Sequence, residues 1–143
     1  MVTVHIKVDA SNLKVSENGV AFKNKLLDQL SKNTKTLFEK NTPRQSGHGA
    51  NNYKIIKSEN QHEVVNNASY LRFPNDGTGI YGARHAPIRP KQARVLHFTW
   101  RGREWFLKSV KGQKPKKFVE RSMTEVIRSV ESAVIIAKRG TLE

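Results

Sequence analysis

The chain has 143 residues, 36% apolar and 27% charged, enough to bury one core of ordinary size. Its 26 Lys and Arg against 12 Asp and Glu give a net charge of +14. With no cysteine, disulfide scaffolds, thiolate zinc sites, iron–sulfur clusters and cysteine nucleophiles are excluded.

No apolar run approaches the roughly 18 residues of a membrane span. The opening MVTVHIKVD has no basic leader followed by an unbroken apolar stretch. The expectation is a basic, soluble, intracellular protein folded as a single domain over 1–143.

Val2, Val4, Ile6 and Val8 alternate with Thr3, His5, Lys7 and Asp9, the pattern of a strand with one buried face. Ser16 then reads as an N-cap, with Glu17 favourable in the first turn of a helix running to about Asn41. Phe22, Leu26, Leu27, Leu30, Leu37 and Phe38 are spaced for one face, and Pro43 stops the helix. Residues 42–52 are turn-forming. Two strands are expected at Tyr53–Lys57 and Glu63–Asn66, around a polar turn. Residues 74–91 form a long loop containing Gly77, Gly79, Gly82, Pro87 and Pro90.

Val95–Trp100 and Arg103–Val110 predict a hairpin turning at Arg101–Gly102. That register pairs 100 with 103, 98 with 105 and 96 with 107, so Leu96, Phe98, Trp100, Trp105 and Leu107 share one face. The last helix is expected over 118–138, with Val119, Met123, Val126, Ile127, Val130 and Val134 on its apolar stripe and Gly140 as its C-terminal cap. Strand, helix, four strands and helix imply an α+β fold: a mostly antiparallel sheet of four to five strands packed against a long N-terminal helix and a C-terminal helix.

Few constellations point to catalysis. Gly77–Gly82 matches G-x-G-x-x-G, but no strand is expected before it and two prolines follow, so the dinucleotide context is missing. His5, His48, His62, His85 and His97 show no metal-ligand spacing. Ser46-Gly47-His48 lacks the strand–elbow–helix setting of a nucleophile. A metal-free nuclease using His48, His85 or His97 is chemically possible, but no spacing selects it. The charge is more informative because it is uneven. From Arg84 to Arg128 there are 13 Lys or Arg against 3 Glu, a net +10, which favours contact with nucleic acid or an acidic protein surface. No helix-turn-helix, zinc finger or RNP-like strand is visible, so contact with DNA is expected to be phosphate-directed.

Several pieces occur in a telling order. The long helix runs into Thr42-Pro43-Arg44-Gln45-Ser46-Gly47. Tyr70-Leu71-Arg72-Phe73 leads to Gly77-Thr78-Gly79-Ile80-Tyr81-Gly82, then to Pro87-Ile88-Arg89-Pro90 and Val95-Leu96-His97-Phe98. Gly112-Gln113-Lys114-Pro115-Lys116-Lys117-Phe118 opens the last helix. In these motifs, over roughly residues 17–137, the chain resembles the small tail-completion or head–tail joining proteins, often called minor tail or neck components, of long-tailed bacteriophages and prophages.

The resemblance implies a structural, non-enzymatic virion protein with no cofactor and no metal. It implies a monomer in isolation that assembles as a ring, expected at six copies, at the junction of tail tube and head. The expected partners are the tail tube or tail terminator protein and the head connector proteins, with DNA passing through the lumen without sequence specificity and no membrane. The expected location is the virion tail or neck, and the host cytoplasm during assembly. Gly77, Gly79, Tyr81, Gly82, Arg84, Arg89, Lys91, Arg94, Lys114, Lys116 and Lys117 are then the residues facing a partner or DNA, and the loop 74–91 is expected to order on binding. The alternative is a sequence-independent nucleic-acid-binding protein.

Overall fold

Alternating β-branched and polar residues build the first strand, β1 (Val4–Asp9), and their spacing turns Val4 and Ile6 into the core. The computed structural model describes residues 4–44 and 47–142; Val2 and Thr3 of the expected strand, and Gln45 and Ser46 of the expected turn, lie outside them. The architecture is α+β. The chain divides into two compact units, Met1–Ser69 with Phe118–Glu143, and Tyr70–Lys117.

In the first unit, β2 (Tyr53–Lys57) and β3 (Gln61–Asn66) form an antiparallel hairpin, and β1 pairs with the other edge of β3. The registers Val4↔Asn66, Ile6↔Val64 and Tyr53↔Asn66 place Val4, Ile6, Tyr53, Ile55, Val64 and Asn66 on one face. Phe38 and Val126 close over it, with Leu37, Ile55, Val119 and Met123 packed against that cluster. Phe38 meets Tyr53 edge-on, ring centres 5.9 Å apart.

Two long helices complete this unit: α1 (Val20–Asn41), entered through a 3-10 turn at Glu17–Gly19, and α3 (Phe118–Leu142). Ser16 stands at the N-cap of that 3-10 turn, but its hydroxyl makes no capping bond. Near one end Asn41 Nδ2 donates to Ser122 Oγ at 3.1 Å, and near the other Lys25 lies beside Gly140, so the helices run antiparallel.

The buried positions of α1 are Leu27, Ser31, Thr34 and Phe38, two of them hydroxyls. Thr34 Oγ1 donates to the Leu30 carbonyl at 2.7 Å, which satisfies a polar group within its own helix. On α3 the buried stripe is Phe118, Ser122, Val126, Ala133 and Ala137. It is turned about the helix axis from the expected one, leaving Ile127 66% and Val130 39% exposed. Small side chains allow close approach to α1, so residue size, not only hydrophobicity, selects the contact face. Gly140 is not a cap; α3 continues to Leu142.

Polar side chains tie the helices to the sheet. Thr42 Oγ1 donates to the Phe38 carbonyl at 2.6 Å and lies 2.7 Å from the Tyr53 hydroxyl, both residues being buried. Burial pushes the Tyr53 phenol above its ordinary pKa. Buried Asn66 donates to the Gly49 carbonyl at 2.7 Å and accepts from the Ala68 N–H, holding the turn at 47–51 against β3. His62 Nδ1 lies 3.1 Å from Ser31 Oγ and 3.8 Å from Asp28 Oδ1, and Lys57 Nζ donates to Asp28 Oδ1 at 2.8 Å. The Lys57 bond holds the Asp28 carboxyl below its ordinary pKa.

A 3-10 turn at Ser69–Leu71 leads into the second unit, whose first helix is the five-residue α2 (Arg72–Asp76). Its strands β4 (Leu96–Trp100) and β5 (Arg103–Leu107) form a separate two-stranded antiparallel sheet. The five expected strands therefore fall into one sheet of three and one of two. The hairpin register is the expected one, Trp100↔Arg103, Phe98↔Trp105 and Leu96↔Leu107. Arg101 and Gly102 both have positive φ, 52° and 73°, as a two-residue turn matched to the twist of the strands requires.

Removing the Thr42 hydroxyl should cost about 1–3 kcal/mol, because it strips a bond from two buried partners. Denaturant unfolding of Thr42→Val measures this, and a loss of only a few tenths would contradict the assigned role. Asp28 has a lowered folded pKa, so its contribution is present above 3.8 and is lost as pH falls through the folded value. Stability curves of the wild type and Asp28→Asn should differ modestly at neutral pH and converge in acid, with added salt shrinking the gap because the pair is about half exposed.

Candidate functional site

The Gly- and Pro-rich segment expected to be open is instead hydrogen-bonded along its length. Thr78 N–H donates to the Gln113 carbonyl at 2.9 Å, and Gln113 N–H donates to Thr78 Oγ1 at 2.9 Å. Ile80 N–H donates to the Lys111 carbonyl at 2.8 Å. Ile88 and Val110 exchange backbone bonds of 2.8 and 2.9 Å as an antiparallel bridge. Lys116 and Lys117 N–H groups donate to the carbonyls of Pro74 and Asn75. The expected ordering on binding gives way to order within the chain itself.

Two glycines make this possible. A Cβ on Gly79 would strike the Lys111 carbonyl, and one on Gly112 would strike the Thr78 carbonyl. Both also have positive φ, 63° and 100°. Gly77, at φ 85°, would place a Cβ 3.0 Å from the Gln113 carbonyl. Gly82 would place one 3.1 Å from Thr78 Cα. The close approach at these expected partner-facing glycines is thus to their own chain.

The expected cations stand on this framework. Arg84, Arg89, Lys91, Arg94, Lys114, Lys116 and Lys117 are all exposed. Tyr81 is half-buried in a short 3-10 turn, with Lys114 Nζ 5.8 Å from its ring centre. Sequence reasoning missed Lys111 as a site residue, although its place directly before Gly112 marks where backbone approaches backbone. It also missed Arg101, 4.5 Å over the Trp100 ring, and Arg103, 6.0 Å from the centre of Trp105.

The unit Tyr70–Lys117 holds 12 Lys and Arg against two acidic residues, Asp76 and Glu104. All 12 of those cations are exposed. Glu104 lies 3.5 Å from His97, and Asp76 accepts from Asn75 Nδ2 at 2.8 Å. Among the described residues, Arg84, Arg89, Lys91, Arg94, Lys111, Lys114 and Lys116 form no ion pair with a carboxylate. The other unit mixes 14 basic and 10 acidic residues.

The remaining polar groups fit structural roles. Gly77–Gly82 follows α2 and contains a 3-10 turn, with neither a strand before it nor a long helix after it. His5 bonds Glu63 at 3.0 Å, and His97 stacks on Phe106 with ring centres 4.4 Å apart. Ser31, His62 and Asp28 have the composition of a catalytic triad but not its geometry. Ser31 and Asp28 both approach Nδ1, whereas a relay needs them on opposite ring nitrogens. Ser46 lies outside the described residues. Among the described residues, no three His, Asp or Glu gather as metal ligands, and no helix is long and apolar enough to cross a membrane. An open groove of about 440 Å³ lies along β1, lined by Val4, His5, Ile6, Lys7, Val119 and Met123.

Compared with family models, curated proteins and solved structures, the chain matches none.

Gly79→Ala should disrupt the pairing of residues 78–80 with 111–113, since neither backbone can retreat without breaking the bonds beside it. Amide spectra should show loss of the native signals of residues 74–117 while those of α1 and β3 persist. Spectra unchanged from wild type would refute the close approach.

Proposed function

We propose that this chain is a structural, non-enzymatic virion protein of the tail-completion or head–tail joining type, which closes into a ring at the junction of tail tube and head. The observation that carries the reading is the bonding of two motif segments distant in sequence. Thr78-Gly79-Ile80 and Gly112-Gln113 belong to the ordered motifs of the resemblance, and they are joined backbone to backbone at Thr78 and Gln113, with Ile80 bonded to Lys111 just before the second motif. A pairing that needs glycine on both sides gives such motifs a structural purpose without catalysis.

A second support comes from the unit containing α1 and α3. It exposes Ile56, Ile127, Val130, Ile135 and Ile136, each at 39% or more. Under this reading these side chains offer apolar area to protein partners. In the proposed role the partners are further copies of the chain, the tail tube or tail terminator protein, and the head connector proteins. A head-to-tail interface keeps each contact weak until the ring closes, which suits a monomer that assembles only on its template. The place of action is then the virion neck, reached from the host cytoplasm.

Light scattering on the purified protein, alone and with cognate tail tubes, tests this. The expected result is a small species alone and a defined ring on tubes. A protein that ignores the tubes would overturn the reading.

A further inference from the structure

We propose that the unit Tyr70–Lys117 carries a sequence-independent binding surface for nucleic-acid phosphates, with Arg84, Arg89 and Lys91 on one segment and Lys111, Lys114 and Lys116 on the segment bonded to it. The inference stands on this unit's own charge and geometry, whether or not the chain closes into a ring.

Charge is the first argument. A surface that only keeps a domain soluble intersperses both signs, as the other unit does. Here a net +10 sits on 48 residues, all 12 cations are exposed, and the two acidic side chains are engaged with His97 and Asn75. Such self-repulsion weakens the unit in isolation and is relieved by a polyanion, which releases its own counterions on binding.

Rigidity is the second. The Ile88–Val110 bridge and the Thr78–Gln113 and Ile80–Lys111 bonds fix the backbone beneath these cations. Only side chains remain to be ordered on binding, which keeps the entropic penalty small.

The third argument separates nucleic acid from an acidic protein. Of the five large hydrophobic residues exposed in this unit, Tyr70, Phe73, Trp100 and Phe106 are aromatic and only Ile88 is aliphatic. In the other unit the exposed large hydrophobics among the described residues are all aliphatic. Arg72 lies 4.8 Å over Phe73 and Arg101 lies 4.5 Å over Trp100. Exposed aromatic side chains interleaved with cations suit sugars and bases behind a phosphate backbone. The lack of sequence preference follows from the kind of contact. The contacts proposed are to phosphates, which position a protein on the backbone and carry no sequence information, and the five-residue α2 is too short to add a recognition helix.

The test is fluorescence anisotropy with short labelled DNA duplexes of two unrelated sequences, titrated from about 50 to 200 mM salt. The six named cations predict a log–log salt slope near −5 and a loss of affinity of about a thousandfold across that range, alike for both sequences. Lys114→Gln with Lys116→Gln should reduce the slope by about 2 and weaken both duplexes equally. Lys14→Gln with Lys32→Gln, on the other unit, should leave the slope unchanged, and circular dichroism checks that both variants are folded. No binding at the lowest salt, or a slope untouched by the Lys114 and Lys116 changes, would overturn the proposal. So would a poly-glutamate peptide that displaces the protein as well as unlabelled duplex does, because the surface would then belong to an acidic protein.

Discussion

Two stretches of backbone, at Thr78–Gly79 and Lys111–Gly112, approach so closely that neither glycine tolerates a Cβ. The rest of the Tyr70–Lys117 unit depends on that contact. It lets Thr78 and Ile80 bond to Gln113 and Lys111, and the same pairing continues through Ile88 and Val110. A stretch with the composition of a loop thereby acquires a fixed backbone, and its cations acquire fixed places. Positive φ at His85, Arg101 and Lys117 belongs to this unit as well, so three side-chain-bearing residues sit where glycine is favoured.

The two units solve different physical problems. The helix–sheet unit buries a hydrocarbon core around Phe38 and Val64 and admits hydroxyls wherever each finds an acceptor. Ser122 shows the pattern: its hydroxyl donates to the Phe118 carbonyl at 2.6 Å and accepts from Asn41, so it lets α1 approach closely without leaving a polar group unpaired. In the Tyr70–Lys117 unit Leu71 is the one fully buried apolar side chain among the described residues, and the unit is held by main-chain bonds and glycine geometry. In the proposed role the aliphatic surface of the first unit meets protein and the cationic, aromatic surface of the second meets DNA.

The regular elements were largely legible in the sequence. Tyr53–Lys57 is a strand within the expected bounds, and the hairpin register follows directly from the apolar pairs across Arg101–Gly102. Period-2 and period-3.6 signals are local, and local signals survive folding. What was not legible depends on distant partners. The stripe of α3 turned toward Ser122, Ala133 and Ala137 because α1 lies there, and no property of α3 alone announces its neighbour. His62 was unremarkable until the sheet brought it to Ser31 and Asp28. Among the candidate site residues, the charge excess from Arg84 to Arg128 was readable, but the role of Gly77, Gly79 and Gly82 was not. Their motif says that a backbone comes close and does not say whose.

Amide hydrogen exchange on the free protein tests the central claim most directly: that residues 74–117 are a folded framework and not a loop awaiting a partner. The N–H groups of Thr78, Ile80, Ile88, Val110 and Lys116 should be protected together, as members of one cooperative unit. Exchange of these amides at open-chain rates, while those of α1 and β3 stay protected, would contradict the account.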